Sequence, residues 1–349
     1  MRWLAQSQQD DGHWSDPSFP AMTGLAVSAL LRSPGGAPSR AASRGLEFIL
    51  SCVQEDGGIY RHVEGVKGGG LPNYNTAICL TALTDAGDPA YDGIIAAARA
   101  FLVAGQHRGD DVFHGGMGYD AATDREYADV PNTYFALEAV RRVEPLERGA
   151  RQADLDWAAA TQFLSRCQHL RAHNDAEWVR ETPEEAGGFV YNPVSTKVEA
   201  QGDGAEDAMR AYGSATYCGV SGYLNAGLPP QSDRVEAALE WCARHWTLDE
   251  NPRLGDQSLY FYYLAMAKAL NASGRHILDT PRGAVKWRPA LVKKLLSLQR
   301  RAPKEGLGYW QNDNNRWWEN DPNLATSYAL LALETAMFGH EVVRELASR

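Results

Sequence analysis

A nine-residue stretch of small and apolar side chains centred on a threonine recurs along this chain. Met22–Leu30 aligns without a gap with Asn75–Leu83, Asn132–Val140, Ala215–Tyr223 and Ala325–Leu333, and Tyr262–Leu270 keeps the pattern but loses the threonine. A helix that is apolar around nearly its whole circumference has to be buried on most sides. The Ala, Gly and Ser content lets neighbouring backbones approach closely, as a ring of helices around a shared axis requires. The six copies therefore read as inner helices. Between them run helices with a single apolar stripe, at about 41–54, 90–106, 153–168, 233–246 and 287–300, with residues 1–9 as the sixth. These read as outer helices. The class this predicts is all-α, with residues 1–349 as one domain of six helix pairs.

Most outer helices end in a common signature. Gln9-Asp10-Asp11-Gly12-His13-Trp14 and Gln54-Glu55-Asp56-Gly57-Gly58-Ile59-Tyr60 are two copies, and Gln299 followed by Gly306-Leu307-Gly308-Tyr309-Trp310 is a later one. A Gly just past a helix satisfies the last carbonyls through a left-handed residue, and the following aromatic can cover the helix end. Glutamine, Asp-Gly and an aromatic ahead of a Thr-Ala inner helix resemble the repeat of squalene/hopene cyclases and protein prenyltransferase β-subunits. The resemblance covers essentially the whole chain. It implies an α6/α6 toroid, with an inner ring of apolar helices, an outer ring of amphipathic ones and a cavity opening at the N-terminal ends of the inner ring. Loop lengths point to the same rim, because the outer-to-inner connections at about 105–130 and 169–208 are long. Within the second, Gly187–Val198 reads as a small hairpin, and Asp203, Glu206 and Asp207 could cap the next helix or serve as acids.

The family's two chemistries can be tested by position. The cyclase motif Asp-x-Asp-Asp-Thr has its nearest match in Asp129-Val130-Pro131-Asn132-Thr133, with Pro131 where the proton-donating Asp should stand. Asp129 is then either an acid in an altered site or the cap of a Pro-initiated helix. For the prenyltransferase zinc site, Asp256 matches the carboxylate ligand, but Ser258 replaces the Cys and Ala325 the His. One ligand of three cannot hold zinc, so neither a metal nor another cofactor is expected. Tyr212 takes the place of a His that contacts the isoprenoid diphosphate in that family, and Arg253 that of a diphosphate-binding Lys.

The candidate catalytic residues are thus Asp129, Asp256 and Tyr212. Aromatic faces stabilise carbocations, so the candidate substrate-binding residues are Tyr134, Tyr217, Tyr260 and Tyr262 on inner helices and Trp310, Trp317 and Trp318 at the rim, with Arg253 and His114. Tyr328 on an inner helix, and Trp14, Tyr60 and Tyr74 near the rim, add to the same aromatic lining, while His13 and His62 read as surface groups. The resemblance implies a small hydrophobic isoprenoid substrate in an aromatic-lined cavity. Two other readings stay open: a carbohydrate-active lyase or hydrolase using Asp129 and Asp256 as facing carboxylates, and a non-catalytic binding module.

A hydrophobic fraction of 44% and a charged fraction of 22% supply an ordinary globular core. The net charge of -10 argues against nucleic acid; the basic cluster Lys293, Lys294, Arg300 and Arg301 reads as a solvated outer helix face. The five cysteines, without C-x-x-C spacing, read as buried thiols of a reducing compartment, which favours the cytoplasm. No apolar run has the length of a membrane span. Arg2–Gln6 already has the character of mid-helix, so the sequence leaves room for a truncated N-terminus and a targeting segment upstream of Met1.

Overall fold

Six helices buried on almost every side can share a molecule only by packing on one another, and in the computed structural model they do so in a closed cycle. The structure describes residues 1–32, 39–120, 127–143, 154–199, 209–303 and 306–339. The inner helices are α2 (Pro20–Leu31), α4 (Pro72–Ala86), α6 (Val130–Val143), α8 (Gly213–Asn225), α10 (Leu259–Ala272) and α12 (Pro322–Phe338). Each packs on the next in that order, and α12 packs back on α2. All six recurring segments fall inside these helices. Prolines near the start of α2, α4, α6 and α12 suit a position whose N–H has no helical acceptor.

The outer helices are α1 (Arg2–Gln6), α3 (Arg40–Leu50), α5 (Asp92–Ala104), α7 (Trp157–Ser165), α9 (Asp233–Arg244) and α11 (Trp287–Leu298). Each packs on an inner helix: α1 and α11 on α12, α3 on α2, α5 between α4 and α6, and α7 and α9 on α8. Two of them begin on a side-chain cap, where Ser39 accepts from the Ala42 N–H and Asp156 from the Ala159 N–H.

The recurring threonine has a structural job. The Oγ of Thr23, Thr76, Thr133, Thr216 and Thr326 accepts the backbone N–H of Trp14, Ile59, Met117, Phe189 and Trp310, at 2.8–3.1 Å. Each bond ties an inner helix to the turn that leads into it and satisfies a buried donor. In the fifth repeat Tyr263 stands at the threonine's position, and its hydroxyl reaches the Leu248 carbonyl of the equivalent loop at 2.6 Å. Glutamines near the ends of outer helices link successive repeats, and in the first turn the residue is Gln8 and not the Gln9 of the signature. Gln8 donates to Gly12 and Ala41, Gln106 to Gly115 and Asp156, and Gln168 to Gly187 and Arg234, so these three turns are bonded to the start of the following outer helix, whereas Gln54 bonds within its own turn, to Cys52 and Tyr60. Gly187 has φ +86°, and a Cβ there would overlap the Ala237 carbonyl on α9, so only glycine fits.

The chain is not purely helical. Between α10 and α11, β1 (Ile277–Thr280) and β2 (Gly283–Lys286) form an antiparallel hairpin with Ile277 opposite Lys286, and β3 (Arg300–Arg301) pairs antiparallel with β4 (Gly308–Tyr309). Arg300 and Arg301 therefore lie on a strand and not on the helix assigned to them from sequence. The hairpin expected at 187–198 reduces to one tight turn, with Asn192 bridging Ser195 while Phe189 pairs back to Gln168. Asp203, Glu206 and Asp207 lie outside the described residues.

Candidate active site

At the start of α6, Asp129 is fully buried and meets two demands at once. One carboxylate oxygen caps the helix by accepting the Asn132 N–H at 2.8 Å. The other, Oδ2, accepts the Asn132 side-chain amide at 2.7 Å and lies 2.9 Å from the Tyr127 hydroxyl and 2.8 Å from the Tyr191 hydroxyl. The two hydroxyls are themselves 2.5 Å apart. Burial pushes the Asp129 pKa up, against the pull of these hydrogen bonds. The two tyrosine hydroxyls and Oδ2 thus form a triangle of oxygens at hydrogen-bond distance, a short path along which a proton can pass.

Tyr119 stacks on Tyr127 with ring centroids 6.1 Å apart and lies within electrostatic range of both Asp129 and Tyr74. Tyr74 leads to an aromatic group contributed by four inner helices. Its ring stands edge-on to Phe135 at 5.5 Å, Phe135 tilts against Phe261 at 5.8 Å, Phe261 against Tyr328 at 5.8 Å, and the Tyr328 and Tyr74 hydroxyls meet at 3.4 Å. Tyr212, buried ahead of α8, lies within electrostatic range of Asp129, Tyr119 and Tyr127, so two of the three expected catalytic residues share one neighbourhood.

The third does not join them in burial. Asp256 is exposed and accepts from the Asn314 amide at 2.9 Å. The buried carboxylate of that region is Glu319, which accepts the N–H groups of Tyr260 and Phe261 and the Asn312 amide, at 3.1, 2.7 and 2.8 Å. Burial raises its pKa to about 7. Beside it Trp317 and Trp318 are 37% and 48% exposed, both at positive φ, which is a strained conformation for a bulky residue. Trp318 packs on Phe19, 4.9 Å away, at the entrance to α2.

Several expected binding residues have partners within the protein. Trp310 is buried and donates its indole N–H to the Leu295 carbonyl at 2.8 Å, so it covers the last turn of α11. Arg253 pairs with Glu185 at 2.5 Å and donates to the Ala211 and Glu184 carbonyls, which places three of its five N–H donors on the loop. Tyr217 packs on Tyr262, whose hydroxyl is held by the Thr247 carbonyl, and Tyr260 packs edge-on against Tyr263. His114 is half-buried with Nδ1 against the Gly109 carbonyl at 3.0 Å. Tyr134 faces a different cavity, at the C-terminal ends of the inner helices. Among the described residues no three His, Cys, Asp or Glu side chains are grouped as metal ligands, all five cysteines are buried, and no helix is long and apolar enough to cross a membrane.

No protein-family model and no curated protein matches this sequence. Among solved structures, a Candida albicans protein geranylgeranyltransferase-I complexed with GGPP superposes with a TM-score of 0.56 at 14% identity, over 95% of this chain and 91% of its own. The type II terpene cyclase MstE from Scytonema gives 0.51 at 13% identity, over 96% and 95%. A variant of that cyclase in complex with its substrate, geranylgeranyl dihydroxybenzoate, gives 0.51 at 13% identity, over 96% and 94%. At this identity the likeness is one of fold.

Proposed function

We propose that this chain, which shares its fold with protein prenyltransferases and type II terpene cyclases, is a single α6/α6 toroid that binds an isoprenoid in its lumen and cyclises it by proton transfer from Asp129. The observation that carries the reading is the fully buried Asp129 carboxyl in an oxygen triangle with the Tyr127 and Tyr191 hydroxyls; the proposed acid is its protonated form, which burial favours. In the proposed step the Asp129 O–H bond breaks and its proton adds to a substrate alkene. The resulting carbocation is captured by the next double bond of the same chain, with Tyr74, Phe135, Phe261 and Tyr328 offering their ring faces. Loss of a proton from the cyclised cation, returned through the tyrosine hydroxyls, restores the acid, so the reaction is an isomerisation. Neither the Asp-x-Asp-Asp arrangement nor a zinc ion takes part. Trp317 and Trp318 form the entrance, and Tyr212 supports the acid.

The test is product analysis after incubation with squalene and with farnesyl and geranylgeranyl diphosphate, alongside a thermal-shift panel that includes oligosaccharides. Cyclic products from the wild-type chain, lost in Asp129→Asn, are expected. Cyclic products formed at an unchanged rate by Asp129→Asn would refute Asp129 as the acid, and stabilisation by oligosaccharides alone would replace the isoprenoid reading with the carbohydrate one.

A further inference from the structure

At the opposite end of the inner ring, the C-terminal ends of the inner helices surround a cavity of about 160 Å³ lined by Arg32, Glu138, Arg142, Ser221, Lys268 and Glu334, among others. That is roughly the room a benzene-sized molecule takes, far too little for an isoprenoid chain. The charged side chains in the wall are largely paired. Asp85 accepts from Arg32 at 2.9 Å and from Arg142, while Glu138 takes two bonds from Lys268, at 2.9 and 2.8 Å. Burial pushes the Glu138 pKa up, but Lys268 and Arg142 outweigh it and hold the group at about 2, so the ion pairs are formed at neutral pH.

Three groups in the wall are left over, and one is the buried Tyr134 hydroxyl, which has no partner. Glu334 is only 8% exposed and neither of its carboxyl oxygens has a partner. Ser221 is 4% exposed and its hydroxyl has none either. Lys268 carries three N–H donors and spends two on Glu138. Three cations also face only two ionised carboxylates. Buried polar groups are kept unbonded at a cost unless something bonds them.

We propose that this cavity is a binding site for a small oxyanion, a carboxylate or phosphate group, held by the third Lys268 N–H, the Ser221 hydroxyl and the Glu334 carboxyl. The anion balances the excess positive charge of Arg32, Arg142 and Lys268. Glu334 takes part as a donor, since burial pushes its pKa up to about 8 and leaves it protonated at neutral pH. A cationic ligand would instead have to ionise Glu334 and enter a field that is already positive. The site stands independently of the isoprenoid reading, because it lies at the other end of the ring from Asp129.

Titration calorimetry with acetate tests it, with inorganic phosphate as the second probe and methylammonium as the cationic control at matched ionic strength. Acetate stays ionised from neutral pH upward, so any pH dependence belongs to the protein. The groups that face the site are Arg32 just past α2, Asp85 on α4, Tyr134, Glu138 and Arg142 on α6, Lys268 on α10, Glu334 on α12 and the Met1 amine. Saturable acetate binding is expected, weakening as pH rises above about 8. Glu334→Gln keeps a donor that does not titrate and should remove the Glu334 part of that decline. Ser221→Ala deletes a hydroxyl that nothing bonds in the free protein, so it should fold normally and bind about five-fold more weakly. Absence of saturable binding by both anions overturns the proposal, as does binding of methylammonium in their place or unchanged acetate affinity in Ser221→Ala.

Discussion

Replacing Glu334 with glutamine should make this protein more stable, by an amount that depends on pH. Glu334 sits 8% exposed among Arg32, Asp85 and the Met1 amine, with both carboxyl oxygens unbonded. Burial is the largest cause of its shift from 4.5 to about 8, Arg32 and the amine pull the other way, and Asp85 adds to it. A folded-state pKa above the unfolded one means that stability is fully present below about pH 4.5 and is lost as pH rises toward 8. With one pKa unit equal to about 1.4 kcal/mol, the loss reaches about 3 kcal/mol at pH 7 and about 5 kcal/mol well above pH 8. Glutamine has the same shape and never ionises, so Glu334→Gln escapes that loss. For 349 residues at about 2.1 cal/mol/K each, the unfolding entropy is about 0.7 kcal/mol/K, so the pH 7 gap corresponds to about 4 °C in Tm. Denaturant titrations of both proteins at several pH values give the measurement: the curves should meet near pH 4.5 and diverge above it. A gap that is absent, reversed or constant across pH would refute the argument that an unpaired, ionisable Glu334 is buried here.

Three further outcomes follow from the repeat and the acid. Thr133→Val removes the acceptor for the buried Met117 N–H and should cost about 1–3 kcal/mol, read as a fall in Tm of a few degrees, with Thr216→Val behaving alike through Phe189. Gly187→Ala should prevent accumulation of folded protein, because its Cβ overlaps the Ala237 carbonyl, while Gly255→Ala, at φ +61° with nothing within 4 Å, should cost only about 1 kcal/mol by denaturant titration. Tyr191→Phe breaks the oxygen triangle without emptying its place, so cyclisation should slow about ten-fold or more while the far-UV spectrum and Tm change little.

The helices were legible because a helix buried on all sides leaves a mark that survives with little help from its neighbours: Met22–Leu30 and its five copies can be aligned by eye, and each proved to lie on an inner helix. The threonine, glutamine and glycine of the repeat were visible too, yet their bonds were not, since each partner lies in a separate turn or in the next repeat. The site was only half legible for the same reason. Asp129 stood out through its motif, but Tyr191 reaches it from a loop 62 residues away, and nothing in the spacing of the two announces the contact. Glu319 lies within Trp317–Asp321, where the tryptophans are the conspicuous feature of the sequence, although the carboxylate is the buried member of that run. The axial charges show the limit most clearly. Glu138, Ser221 and Lys268 occupy the seventh position of their aligned copies, and Arg142 and Asn225 follow one turn later on the same face of their helices. Polar residues at one register of otherwise apolar helices are a signal, but it can be read only once the ring closes and that register is known to face the shared axis. A charge on a buried helix then stops being an exception to the pattern and becomes the wall of a cavity that the pattern builds.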